Sequence, residues 1–251
     1  MAEPLKACID RVVPKELESV ARAAHAREHQ LGAPSPFELA LVSQKMWKPG
    51  RTLRIRFLDG DPAVHARIEA HAREWLRHAN LEFEFGDDPD AEIRISFTRR
   101  GYWSALGTDA LVEQYFPGTE PTMNFGGFSM STPDEEYARV VLHEFGHALG
   151  CIHEHSSPAG GIKWNREVVY RDLGGPPNNW DKATVDRNVF AVYDKTITQF
   201  TAFDPKSIML YSFPREWTLD GMTFSTNREL SETDEQFIAS RYPASEAVGR
   251  P

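Results

Sequence analysis

The chain has 251 residues, 41% of them hydrophobic, which is enough to bury the core of one large domain with an extension. Its formal charge is −9, and its Lys and Arg are spread rather than clustered, which argues against a nucleic-acid partner. No apolar run approaches the length of a membrane-spanning helix, so no membrane partner is expected.

Residues 1–50 read as a helical N-terminal extension and a candidate prosegment. The first residues lack the basic and apolar regions of a secretory signal, so the expectation is a chain that is cytoplasmic as encoded, leaves by an unconventional route, or has had a signal trimmed. Pro14 to Gln30 is rich in Ala, Glu and Arg and reads as a helix. Ser35-Pro36-Phe37-Glu38 then has the form of a helix start, with Pro49-Gly50 as its stop. The grammar changes at Arg51. RTLRIRFL alternates Leu53, Ile55 and Phe57 against polar neighbours, the pattern of a strand with one buried face. Asp61-Pro62 opens a helix with an apolar stripe of Val64, Ile68, Trp75 and Leu76, closed at Asn80. LEFEF (81–85) and EIRISF (92–97) alternate again. TMNFGGFS (122–129) reads as a fourth strand, with Gly126-Gly127 as a bulge or a point of close approach. Thr132-Pro133-Asp134-Glu135 starts the next helix. Beyond Gly150 the pattern is irregular, with short helices expected over 165–173 and 181–193 and a last one over 232–241, capped by Ser231 with Asp234 at its third position. The expected organisation is the extension 1–50 and a catalytic domain 51–251, divided into subdomains 51–150 and 151–251.

HEFGHALGCIHEH (143–155) carries the chemistry. On a helix His143 and His147 lie about 40° apart on one face, one turn apart, so both imidazoles can bind one zinc ion. Glu144 sits beside the first and can reach a water there without ligating. Gly150 can adopt the left-handed conformation that ends the helix and turns the chain back, bringing His153 in as a third nitrogen. His155 is then surplus, and Glu154, beyond the turn, is a structural carboxylate. H-E-x-x-H alone arises by chance in roughly one or two chains in a hundred of this composition, and the extended H-E-x-x-H-x-x-G-x-x-H at order 10⁻⁴. A closed structural zinc site would need His155, Tyr211 or Cys8 as its fourth ligand.

This motif resembles that of the metzincin zinc metallopeptidases, closest to their astacin-like and matrixin-like bacterial members. The resemblance runs over roughly 51–243 and is strongest at 103–107 (WSALG), 121–158 and 207–214. It implies an α+β zincin-like fold with a twisted mixed sheet, two long helices and an irregular C-terminal subdomain. It also implies one catalytic Zn²⁺ on His143, His147 and His153, with Glu144 as the base of peptide-bond hydrolysis. Met209 of SIMLY would form the Met-turn, and Tyr211 would be a further catalytic group and candidate fifth ligand. Substrate would lie extended against TMNFGGFS. The resemblance favours a secreted enzyme, monomeric, acting on protein or peptide. The chain departs from the family in lacking two disulfides, in Cys151 after the motif glycine and in Leu210 after the methionine. Glu154 follows the third histidine as in the family, where that residue pairs with a freed N-terminus.

Cys8 and Cys151 read first as plain thiols, with one disulfide between them or a thiolate on a metal as alternatives. Matrixin-like zymogens hold zinc with a prosegment cysteine, which makes Cys8 a candidate latency residue and Asp10 a weaker one. HAREH (25–29) matches an inverted zincin motif, but its setting reads as a solvated helix face, and His71 and His78 read as surface or packing residues. A zinc-dependent binding protein and a hydrolase of a non-peptide amide remain as other readings of the same motif.

Overall fold

The computed structural model describes residues 8–9, 11–29, 45–176, 178–192 and 202–244. The helix expected from Pro36 lies largely outside them, and its expected end, Met46 and Trp47, is described and is not helical.

A five-stranded mixed sheet carries the N-terminal half, in the order β2-β1-β3-β5-β4. β1 (Thr52–Phe57) pairs in parallel with β2 (Glu82–Phe85) and β3 (Ile93–Ser96). β3 pairs in parallel with β5 (Met123–Phe125), and β4 (Tyr102–Ser104) closes the edge antiparallel to β5. Sequence reading missed β4, which is three residues long and offers no alternation to count. The expected fourth strand is therefore the fifth, it is shorter than predicted, and it is interior. Gly126, just beyond it, is a point of close approach: a Cβ there would lie 2.3 Å from the carbonyl oxygen of Arg99.

Two helices pack on the sheet. α2 (Pro62–Ala72) starts as predicted, with the Asp61 carboxylate accepting from Ala63 N at 2.8 Å, and continues as a 3-10 turn through Arg77. Its stripe is buried at Val64, Ile68 and Trp75. α3 (Asp134–Ala148) follows Pro133 without a side-chain cap. Thr132 does not cap it, because its hydroxyl accepts from Ser129 N instead. Farther on come α4 (Arg166–Gly174), α5 (Lys182–Val185) running into a π-helical segment Asp186–Phe190, and α6 (Glu232–Arg241), which has the predicted capping box. Two buried apolar clusters result. One joins the sheet, α2, α3 and Met209, and the other gathers Val169, Leu173, Val185, Tyr211 and Trp217 with Cys8.

α1 (Glu18–Glu28), the described helix of the extension, packs on the 3-10 turn at 107–111. The expectation of a solvated face at HAREH is corrected here. His25 is 4% exposed, its Nδ1 lies 3.1 Å from the Thr108 hydroxyl, and its ring packs on His29. A short Lys45–Asp109 ion pair of 2.6 Å anchors the chain nearby. Burial, then the charge of His29, pulls the His25 pKa from its ordinary 6.5 to about 4. The fold holds the neutral form, so this contribution to stability is complete above about 6.5 and is lost as pH falls toward 4. Thermal unfolding against pH should therefore fall more steeply between pH 6.5 and 4.5 in the wild type than in His25→Gln, and equal slopes would contradict the assignment.

Candidate metal centre

α3 carries His143 and His147 on its buried face, and both rings are oriented by main-chain carbonyls. His143 Nδ1 donates to Ile208 O and His147 Nδ1 to Cys151 O, each at 2.8 Å. A carbonyl can only accept, so the proton is on Nδ1 and the Nε2 lone pair is free to face inward. The helix ends in a full Schellman motif. Gly150 has φ +93°, its N–H bonds His147 O at 2.8 Å, and Cys151 N bonds Gly146 O at 2.9 Å. The reversal brings His153 back. Its Nε2 lies 3.0 Å from that of His147 and 3.1 Å from that of His143. Burial, followed by the neighbouring imidazoles, holds His143 well below its usual range; burial, then His155, does the same for His153. All three are buried, and for His143 and His153 the favoured neutral form is the one that binds metal.

A fourth donor stands by. Cys8 Sγ joins the three imidazoles in a group whose ligand atoms lie within 4.8 Å of one another, the one such cluster among the described residues. Both cysteines are free thiols, so a Cys8–Cys151 disulfide is excluded. Cys8 Sγ donates to Glu144 Oε2 at 3.3 Å, and Tyr211 donates its hydroxyl to the Cys8 carbonyl at 2.6 Å. From Cys8 the chain runs along the open side of β4: Ile9 N bonds Tyr102 O at 3.0 Å, and Arg11 forms a parallel bridge with Ala105. β5 has a neighbour on each side, so the substrate lane expected along 122–129 is not available there; the edge is β4.

No family model matches the chain. Among curated proteins it is similar to matrix metalloproteinase-2 of Drosophila melanogaster, 28% identical over 122 residues (42% of this chain, 16% of the relative). It is also similar to zinc metalloproteinase nas-38 of Caenorhabditis elegans, 25% identical over 199 residues (78% of this chain, 24% of the relative). The chain thus spans a quarter or less of those relatives. Among solved structures, myroilysin superposes with a TM-score of 0.76 at 43% identity, over 80% of this chain and 97% of the other. The chain is an astacin-like metzincin. The fold extends to high choriolytic enzyme 1, a hatching enzyme zinc-protease from Oryzias latipes, at 18% identity and a TM-score of 0.55, over 80% of this chain and 95% of the other.

In this metzincin, residues that sequence reading treated as plain hold the centre. Asp234 both caps α6 and grips the turn before Met209. It accepts from Ser207 Oγ at 2.7 Å and Ile208 N at 2.8 Å, and so sets the carbonyl that orients His143. Its signal in sequence was only the capping box. Glu154 is structural, accepting from Asp204 N at 2.9 Å, and burial raises its pKa to about 7. His155 donates Nε2–H to Asn188 O at 3.0 Å, offered by the π-helical segment, and its ring stacks on His153. With that nitrogen protonated, it backs the third imidazole rather than joining it. Met209 lies beneath α3 at Gly146, where a Cβ would fall 2.4 Å from Met209 Sδ and 3.1 Å from the Trp75 ring. Glycine in a helix costs about 1 kcal/mol relative to alanine, while overpacking costs about 1–3 kcal/mol. Gly146→Ala should therefore lower the melting temperature despite its better helix propensity, and a rise would show that the Met209 contact is loose.

Proposed function

We propose that this astacin-like metzincin is a zinc endopeptidase in which His143, His147 and His153 hold the metal and Glu144 is the base. What carries the reading is the convergence of three buried imidazoles, two of them oriented by main-chain carbonyls, beside a buried carboxylate. The Nε2 atoms of His147 and His143 lie 3.0 and 3.1 Å from that of His153, and three converging histidine nitrogens are a donor set that fits zinc. Bound zinc would supply Lewis acidity toward a carbonyl and acidify water. Glu144 takes the proton of the attacking water and returns it to the leaving amine. Tyr211 donates to the carbonyl oxygen as negative charge grows on it. Its present bond to a main-chain carbonyl, that of Cys8, is the same kind of contact. An extended polypeptide would pair with the β4 edge in place of Ile9 and Arg11, and family likeness favours a site of action outside the cell.

Glu144→Gln should keep its zinc by metal analysis and lose about 10²–10⁴-fold in peptide hydrolysis. Full activity in that variant, or activity indifferent to a chelator, would end the reading.

Cys8 is the candidate latency residue of this scheme, its thiolate completing the donor set while Ile9 and Arg11 cover the edge. Cys8→Ser in the full chain should raise hydrolysis of an added peptide by about tenfold or more, because a hydroxyl is a far weaker zinc ligand than a thiolate. An unchanged rate would remove Cys8 from this role.

A further inference from the structure

The two faces of β4 look at different things. Tyr102 and its neighbours line the cleft beside Glu144, whereas Trp103 faces a recess of about 320 Å³ on the other side. Its aromatic walls are Trp103, Tyr115 and Phe116, and Arg99, Arg100 and Glu120 also line it. Into this recess the chain sends Arg11. The guanidinium carbon lies 4.6 Å from the Trp103 ring centroid, 5.5 Å from that of Tyr115 and 5.9 Å from that of Phe116. All three fall within the range of cation–π attraction, with tryptophan the strongest partner. Arg11 Nε is buried without a hydrogen-bond partner, so ring faces rather than a specific acceptor hold that part of the group. Arg99 is ion-paired with Glu120.

Arg11 reaches the recess from the edge position that an extended substrate would take. It belongs to the same stretch as Cys8 at the imidazoles, and its main chain bridges Ala105 just beyond β4. We infer that the Trp103–Tyr115–Phe116 recess is a substrate subsite for an arginine side chain, which Arg11 enters from one wall without filling while its own segment lies on the edge. The inference rests on the peptidase reading above and on that segment giving way to substrate. The enzyme then favours polypeptides with arginine about three residues from the bond it cuts, the separation of Arg11 from Cys8. A recess of apolar walls alone would take leucine as readily, and one ruled by Arg99 and Arg100 would take glutamate.

These alternatives separate in one experiment on the full-length chain carrying Cys8→Ser and Arg11→Ala, which opens both the centre and the recess. Quenched Ala/Gly peptides would carry Arg, Leu or Glu in turn at each position on either side of the cleaved bond. Arginine should raise kcat/KM at one position by about fivefold over both leucine and glutamate, the size of one cation–π contact at a partly exposed site. Adding Tyr115→Leu should shrink the Arg-to-Leu ratio, and Tyr115→Phe should restore it. The readout is a ratio within one variant, so a partly unfolded preparation does not distort it. A flat profile, leucine equal to arginine, a preference for glutamate, or a ratio indifferent to Tyr115→Leu would overturn the subsite and leave the peptidase standing. Cleavage of none of the peptides would end the peptidase reading itself, and the subsite with it.

Discussion

Three converging imidazoles, with the Nε2 atoms of His147 and His143 at 3.0 and 3.1 Å from that of His153 and all three buried from water, form the constraint on which the rest of this structure depends. Such an arrangement does not arise from packing alone, since each ring must be turned so that its lone pair faces the other two. For His143 and His147 the turning is done by main-chain carbonyls. The Schellman turn at Gly150 supplies Cys151 O to His147, and the turn before Met209 supplies Ile208 O to His143. The same Gly150 turn also returns the chain to deliver His153, so one glycine fixes both the third nitrogen and the orientation of the second.

The Ile208 carbonyl is held from the far end of the chain. Asp234, in the first turn of α6, anchors Ser207 and Ile208, and α6 is itself pinned to the C-terminus of α3. Tyr242, at its end, donates to Leu149 O at 2.8 Å and accepts from Trp47 N at 3.1 Å, while Trp47 Nε1 bonds Ala148 O at 2.7 Å. The helix that carries two of the histidines is thus clamped where it turns, by residues before the first strand and after the last helix. Met209 adds the packing floor through the gap left at Gly146. Closure of the loop from both chain ends gives the centre its rigidity before any metal enters.

What the sequence made legible follows from how local each cause is. The H-E-x-x-H spacing, the glycine turn, the alternation in β1 and β2 and the capping box of α6 are all written within a few residues, and all four appear in the structure, whereas β3 alternates in sequence but is buried at all four of its residues. β4 was not legible because three residues cannot show a period. The interior position of β5 depends on where β4 inserts, so it was lost with it. Asp234 looked like a cap because its other partners lie 26 and 27 residues away. His25 looked solvated because its helix is rich in Arg and Glu, and only tertiary contact with Thr108 buries it. The Thr132 cap failed for a similar reason, its hydroxyl being taken by the preceding turn.

The short stretch from Cys8 to Arg11 raises a question of strength, since none of its contacts is large alone. Among its described residues it makes a main-chain hydrogen bond to Tyr102, a bridge to Ala105, a thiol contact to Glu144, a carbonyl bond from Tyr211 and a guanidinium contact on aromatic rings. A free peptide with this inventory would bind weakly. Here the stretch is tethered, and α1 docks it a few residues downstream through His25 and the packing against residues 107–111. Tethering raises the local concentration to the millimolar range, so modest contacts suffice to cover the edge. On the latency reading, the docking of α1 therefore matters as much as the thiol. A single cut between α1 and β1 leaves the segment bound through α1 and Cys8 together, whereas a cut between Arg11 and α1 strands the short stretch on its own few contacts and lets substrate displace it.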